Sequence, residues 1–250
     1  MIYFPRGFRF FVVVFVLGLS QVYAQSAILD KARAYIGSEN SISPVDSLRF
    51  IGALEVVDAG QSSGGTVRIE IIFQKPYRQR ITATSDNRSE TTALDGYDAW
   101  QRVIGHEDSS RWEVNLLGPD QIKRLRANTF ENLAFYRGLE QLGGRIDDLG
   151  EFSVDGVVCR KLAFVHGPGI VFTRSFELAT GRLVLTETES GTRIREEGEI
   201  RAGDLHFPQR IITTNSLPDG NTRTIIVTFS SVEVNPLIDA IAFALPALHE

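Results

Sequence analysis

Leu48-Arg49-Phe50-Ile51-Gly52-Ala53-Leu54-Glu55-Val56 and, after a Gly- and Ser-rich turn over residues 60–65, Val67-Arg68-Ile69-Glu70-Ile71-Ile72-Phe73-Gln74 decide the fold class. Leu48, Phe50, Leu54 and Val56 take alternate positions with Gly52 in phase, and Val67, Ile69, Ile71 and Phe73 do the same. A period of two puts these side chains on one side of a pleated backbone. Two such runs flanking a turn predict a long antiparallel hairpin with one apolar face. That face has to be covered by another part of the chain.

Toward the C-terminus the alternation continues in shorter pieces. Arg78–Thr84, Glu90–Leu94 and Ala99–Ile104 are divided by turn signals at Asp86-Asn87 and Asp95-Gly96, which describes an antiparallel meander. Residues 118–138 interrupt it. Pro119 suits a first helical position and Asp120 the positive helix end. Ile122, Leu125, Thr129, Leu133 and Tyr136 follow at three- and four-residue steps, with Gly138 as the stop, so an amphipathic helix is predicted. Strands resume near Val157 and cover Val158–Val165, Ile170–Leu178, Leu183–Glu189, Thr192–Ile200, Phe207–Thr214 and Arg223–Val234, with Gly-containing turns between them. Roughly eleven strands and two or three helices result, with no linker to divide them. Residues 25–250 therefore read as a single domain.

Toward the N-terminus, Ile28, Leu29, Ala32, Tyr35 and Ile36 lie at helical spacing before Gly37, a plausible C-cap, and residues 40–44 read as a short linker. Ahead of this helix, Arg6 and Arg9 precede the apolar run Phe10–Leu19, and Val22-Tyr23-Ala24 suits a signal peptidase. The run is about half of the roughly 20 residues a membrane span needs. Residues 1–24 thus read as a cleaved secretory signal, a retained anchor being the alternative. No Cys follows the run, so the mark of a lipid-anchored protein is absent.

The chain has 26 basic and 31 acidic residues, and its formal net charge of −5 becomes −7 without Arg6 and Arg9. This offers no general electrostatic grip on nucleic acid. Cys159 is the only cysteine; it cannot form an internal disulfide and reads as a small buried apolar residue rather than a nucleophile. No Gly-x-Ser-x-Gly elbow or phosphate-binding loop occurs. His106-Glu107 begins like a zinc-protease motif, but Ser110 stands where the second His belongs. His106, His166, His206 and His249 lie far apart and read as surface residues. The pairs Asp147-Asp148 and Glu196-Glu197 suit acid–base work only if buried, and their hydrophilic surroundings favour solvation. Lys123, Arg124 and Arg126 read as a solvated helix face, with contact to anionic headgroups as the alternative.

A large sheet with one apolar face can roll up, pack on a second sheet or curl around helices, and the two amphipathic helices favour the last. The order of landmarks resembles that of the LolA-like family of periplasmic lipoprotein carriers and lipoprotein-sorting proteins. An N-terminal helix precedes the strand Ser47–Val57, and the second strand ends in Gln74-Lys75-Pro76-Tyr77-Arg78. The turn Asp95-Gly96-Tyr97-Asp98-Ala99-Trp100 follows. Val154-Asp155-Gly156 opens the second half, and Val234-Asn235-Pro236 with Phe243-Ala244-Leu245-Pro246 closes the chain. The second half is longer than the family pattern. The resemblance implies a mainly β fold in which a curved antiparallel sheet, a half-barrel of about eleven strands, carries helices as a lid over an apolar cavity.

It also implies a soluble, monomeric, non-enzymatic periplasmic protein that needs no cofactor or metal and binds lipid acyl chains or acylated lipoproteins. Transient contact with envelope membrane proteins is expected, and the alternative is an envelope regulatory or sensor module on the same fold. The residues expected to line the cavity are Leu48, Phe50, Leu54, Val56, Val67, Ile69, Ile71, Phe73 and Trp100 from the strands, and Ile122, Leu125 and Leu133 from the helix. The leader reading has a direct check: intact-mass and N-terminal analysis of the protein recovered from the envelope should give a mature chain starting at Gln25, and a chain retaining residues 1–24 would refute it.

Overall fold

A computed structural model describes residues 25–58, 61–62, 65–107, 112–218 and 220–246; the leader read at residues 1–24, Ser110 and His249 lie outside them. Helix α1 covers residues 25–36 and is followed by the single-turn α2 (Glu39–Ile42), where residues 40–44 were expected to be a linker. Ser38 caps α2 by accepting from the Ser41 N–H, as a serine N-cap does. The first half of the sheet then runs β1 (Ser47–Asp58), β2 (Gln61–Ser62), β3 (Val67–Gln74), β4 (Arg78–Thr84), β5 (Arg88–Asp95), β6 (Asp98–Gly105) and β7 (Trp112–Leu116). Helix α3 (Pro119–Leu133) leads to the second half: β8 (Arg145–Val154), β9 (Val157–Gly167), β10 (Ile170–Glu177), β11 (Leu183–Thr188), β12 (Arg193–Glu197), β13 (Ile200–Ala202), β14 (Leu205–Phe207), β15 (Arg210–Ser216) and β16 (Thr222–Val234).

One antiparallel sheet takes the order β7-β6-β5-β4-β3-β1-β16-β15-β12-β11-β10-β9-β8, with β2 paired to β1 beside this path and β13-β14 forming a separate small hairpin. It is therefore two meanders joined where the first strand meets the last. The sheet curves without closing, and its two edges are β7 and β8. The expectation of about eleven strands falls short because β2, β7 and β8 were not anticipated, Thr192–Ile200 divides at Gly198, which has a positive φ of 65°, and Phe207–Thr214 divides into β14 and β15 around Pro208. In β8, Asp147 and Asp148 make the stretch look like a loop, yet it pairs with β9 along its length.

The hairpin that opened the sequence forms in the expected register. Leu48 faces Phe73, Phe50 faces Ile71, Gly52 faces Ile69 and Leu54 faces Val67. These directly opposed side chains share one face, the geometry that makes cross-strand pairs the unit of sheet stability. Buried residues beneath this half include Phe50, Phe73, Leu133 and Phe229. A second centre joins α1, through Ile28, Leu29 and Ala32, to Leu162, Phe164 and Phe176 of the later strands. Cys159 is fully buried beside Val154 and Leu185, and burial pushes its thiol pKa up. Among the described residues no helix is long and apolar enough to cross a membrane.

At the seam between the meanders, β1 and β16 pair from Leu48↔Val234 to Asp58↔Arg223, with a register shift at Ile51/Gly52. Gly52 is required there. A Cβ on it would lie 2.3 Å from the Thr228 carbonyl oxygen and 2.9 Å from the Phe229 Cα. Gly52→Val should cost about 3 kcal/mol of stability, read as a lower denaturation midpoint in urea. An unchanged midpoint would show that the seam is not close-packed.

Candidate functional site

Between the two core centres lies a cavity of about 540 Å³, within the range of about 300–1,000 Å³ common for small-molecule sites. Its apolar wall comes from Leu48, Phe50, Ile71 and Phe73 of the first hairpin, joined by Phe207 and Phe229. Both meanders contribute, since Ile81 of β4 and Phe172 of β10 line the same space. Ala32, Tyr35 and Ile36 of α1 complete one side.

The roof is α3, and its cavity face is polar: Asn128, Glu131 and Asn132, followed by Phe135 and Tyr136. Glu131 has a side chain only 2 % exposed, and Arg174 bonds it from one side while His166 Nε2 lies 2.5 Å from its other oxygen. Burial alone would raise the Glu131 pKa, but the Arg174 charge and the His166 hydrogen bond outweigh it, and the pKa lies below the ordinary value. Glu131 is thus a carboxylate and His166 Nε2 the donor. The Arg174 guanidinium sits 4.9 Å from the Phe164 ring centroid and 5.2 Å from that of Tyr136, within cation–π range. Burial raises the Tyr136 pKa, so its hydroxyl stays neutral. Removing either charge of such a buried pair typically costs about 3–5 kcal/mol, because the other is left uncompensated.

On its other flank α3 is tied to β4: Asn128 and Thr129 both donate to Gln79 Oε1, at 3.1 and 3.2 Å. The basic cluster of α3, expected to be a solvated face, divides in the same way. Arg124 pairs with Glu189 beyond β11. Arg126 lies between the rings of Tyr77 and Tyr97, at 3.7 and 3.9 Å, and donates to the Gly96 carbonyl. Lys123 bonds the exposed Asp120. Helix α3 ends at Leu133, short of Gly138, because Phe135 and Tyr136 take left-handed conformations, with φ of 48° and 68°. That geometry is costly for bulky side chains. Arg33 of α1 holds it by donating to the Phe135 carbonyl at 2.6 Å while pairing with Glu39.

Of the residues expected to line the cavity, Leu48, Phe50, Ile71 and Phe73 do so. Ile69 is buried on the same face, and Leu54, Val56 and Val67 lie further toward the turn end of the hairpin, outside the cavity wall. Ile122 and Leu125 are half-buried on α3 away from the cavity, and Leu133 packs into the first core centre. Trp100 needs correction. The cavity-face row runs Phe50, Ile71, Ile81, Thr92, Gln101, whereas Trp100 belongs to the row of Ala93, Arg80 and Ile72 on the opposite face. There it is 5 % exposed under the C-terminal segment, its Nε1 donating to the Phe243 carbonyl at 3.0 Å.

The carboxylate pairs need correction too. Alternation sends neighbours to opposite faces, so one member of each pair is sheltered. Asp148, 6 % exposed, pairs with Arg160 at 2.5 Å. Glu196 lines the cavity, and burial pushes its pKa from the ordinary 4.5 up to about 7 against the pull of Arg174 and Arg182. His166 is likewise buried, not a surface histidine, whereas His106 is exposed near the Asp86 carbonyl and His206 pairs with Glu199. Among the described residues no three His, Cys, Asp or Glu side chains are placed to hold a metal ion. Glu131, Arg174 and Glu196 were missed as site residues. Their signal in the sequence is a charge in the apolar phase: Arg174 between Phe172 and Phe176, Glu131 four residues after Ala127, Glu196 two after Ile194.

Neither a protein-family model nor a curated protein matches the chain. Solved structures do. A LolA superfamily protein from Nitrosomonas europaea is similar at 17 % identity and a TM-score of 0.56, over 88 % of this chain and 97 % of that one. A DUF1329 family protein from Desulfovibrio piger is similar at 8 % identity and a TM-score of 0.55, covering 88 % and 96 % of the two chains. A domain named for outer membrane lipoprotein sorting, from Vibrio parahaemolyticus, reaches 0.53 at 11 % identity, covering 86 % and 95 %. The chain has the fold these proteins share, as the order of its sequence landmarks implied.

The raised Glu196 pKa carries a sign that can be checked. The folded state binds this proton more tightly than the unfolded chain. Its support is fully present below about pH 4.5 and is lost as pH rises through about 7. Glu196→Gln should therefore match the parent near the acid end and exceed it at about pH 8, by on the order of 1–3 kcal/mol. Urea unfolding at both pH values measures this, and a constant difference would show that Glu196 is ordinarily solvated.

Proposed function

We propose that this chain is a non-enzymatic periplasmic carrier of lipids or lipoproteins, which shields acyl chains between its sheet and its helices and acts in outer membrane lipoprotein sorting. The observation that carries the proposal is the cavity of about 540 Å³ walled by Leu48, Phe50, Ile71, Phe73, Phe207 and Phe229. Transfer of an acyl chain from water into such a wall gains about 0.8 kcal/mol per methylene, and the gain is reversible because no bond is made. The fold supports the reading, since one structure that shares it belongs to the LolA superfamily and another is named for lipoprotein sorting. A leader at residues 1–24 without a following Cys suits a body that diffuses between membranes.

Native mass spectrometry of protein recovered from the envelope should reveal a bound lipid, and a fluorescent fatty acid should be displaced from the purified protein by acyl ligands. Ile71→Trp, which fills the apolar end, should weaken that probe at least about tenfold. A lipid-free protein that binds no probe would sink the carrier reading. Recovery of a stoichiometric membrane protein whose binding survives Ile71→Trp would favour the regulatory module instead.

A further inference from the structure

The cavity has two chemically different ends. Leu48, Phe50, Ile71 and Phe73 make one apolar, while Arg174, Thr186, Glu196 and Thr213 face the other. At the polar end two groups keep unused hydrogen-bonding capacity among the described residues. Arg174 is 8 % exposed and bonds Glu131 through Nη1, but its Nε and Nη2 make no hydrogen bond with a described residue. Glu196 makes neither a hydrogen bond nor an ion pair among the described residues, although the Arg174 and Arg182 charges act on it. A guanidinium and a carboxyl thus line one cavity with no hydrogen bond or ion pair between them. The Arg174 Nε is withdrawn from water without a partner, which is costly, whereas Glu196 is half-buried.

We infer that the polar end holds the head group of a single-chain fatty acid, its carboxylate lying between Arg174 and Glu196 while its chain fills the apolar end. This rests on the carrier reading and narrows it to a monoacyl ligand. Three features support it. The volume is that of a site for one small molecule. Arg174 lines the cavity with its Nη2 unbonded among the described residues, and charge-assisted hydrogen bonds to carboxylate are the strong class. Glu196, with a pKa near 7, can supply the second donor at neutral pH, taking its proton from solvent. The other ionisable groups around it are accounted for. Arg182 pairs with Glu177, Glu199 with His206, and Glu131 with Arg174 and His166. Tyr35 and Tyr136 are held neutral by burial.

The test titrates the mature protein with a fluorescent long-chain fatty acid and with its methyl ester, the same chain without the charge. The acid should bind about tenfold more tightly than the ester at about pH 6, and its advantage should shrink toward about pH 8 as Glu196 ionises. Glu196→Gln should keep the preference for the acid and flatten its pH dependence, and Arg174→Lys should reduce the preference itself. A short-chain carboxylate should not compete. Equal binding of acid and ester would overturn the head-group site and leave the carrier reading standing. Binding of neither would overturn both. A pH dependence that survives Glu196→Gln would belong to the ligand's own carboxyl and remove Glu196 from the site.

Discussion

The pairing of the first strand with the last governs this molecule. Once β1 and β16 lie side by side from Leu48↔Val234 to Asp58↔Arg223, the two ends of the chain occupy the middle of the sheet. The middle of the chain must then carry both free edges, β7 and β8. These edges are consecutive in sequence, so the segment between them has to cross from one to the other. It crosses the concave face as α3, and the cavity is the space left beneath. Gly52 makes the seam possible, because only a residue without Cβ lets the β16 backbone approach so closely.

The crossing helix packs Ala127, Phe130 and Leu133 into the two core centres, and polar contacts fasten it on either side. Arg126, Asn128 and Thr129 hold it to the first meander, and Arg124 and Glu131 hold it to the second. Buried ionic links of this kind add little net stability beside an apolar alternative, because desolvation offsets the attraction. Their directionality sets where the helix sits. An apolar interface would draw the helix down onto the sheet and fill the cavity, since burial rewards any close contact. Arg33 acts in the same sense, fixing the left-handed turn at Phe135 and Tyr136 that ends the roof.

Much of the fold was legible because alternation is a local signal. The first hairpin, the helix starting at Pro119 and the turns at Asp86-Asn87 and Asp95-Gly96 appear where the residues place them. The site was legible only in part. Leu48, Phe50, Ile71 and Phe73 share a face and reach the cavity wall, but Trp100, equally apolar, lies on the opposite side under Phe243. Period two tells which residues share a face and cannot tell which face two distant strands turn toward each other. The same limit hid Asp148 and Glu196, each in a pair that looks solvated until the strand sends one member inward.

The sequence by itself determined the strands, their amphipathic faces and the helix that interrupts them, because these follow from backbone periodicity within a few residues. Only the tertiary structure decided that the sheet stays open, that α3 spans it, and that Glu131, Arg174 and Glu196 meet at one end of the cavity. Arg174 and Glu196 come from β10 and β12, neighbours of β11 in one meander, and Glu131 reaches them from α3, far from both in the chain. A charge in an apolar phase announces that it must be compensated. Which partner compensates it is settled by the curvature of the open sheet and the helix that crosses it.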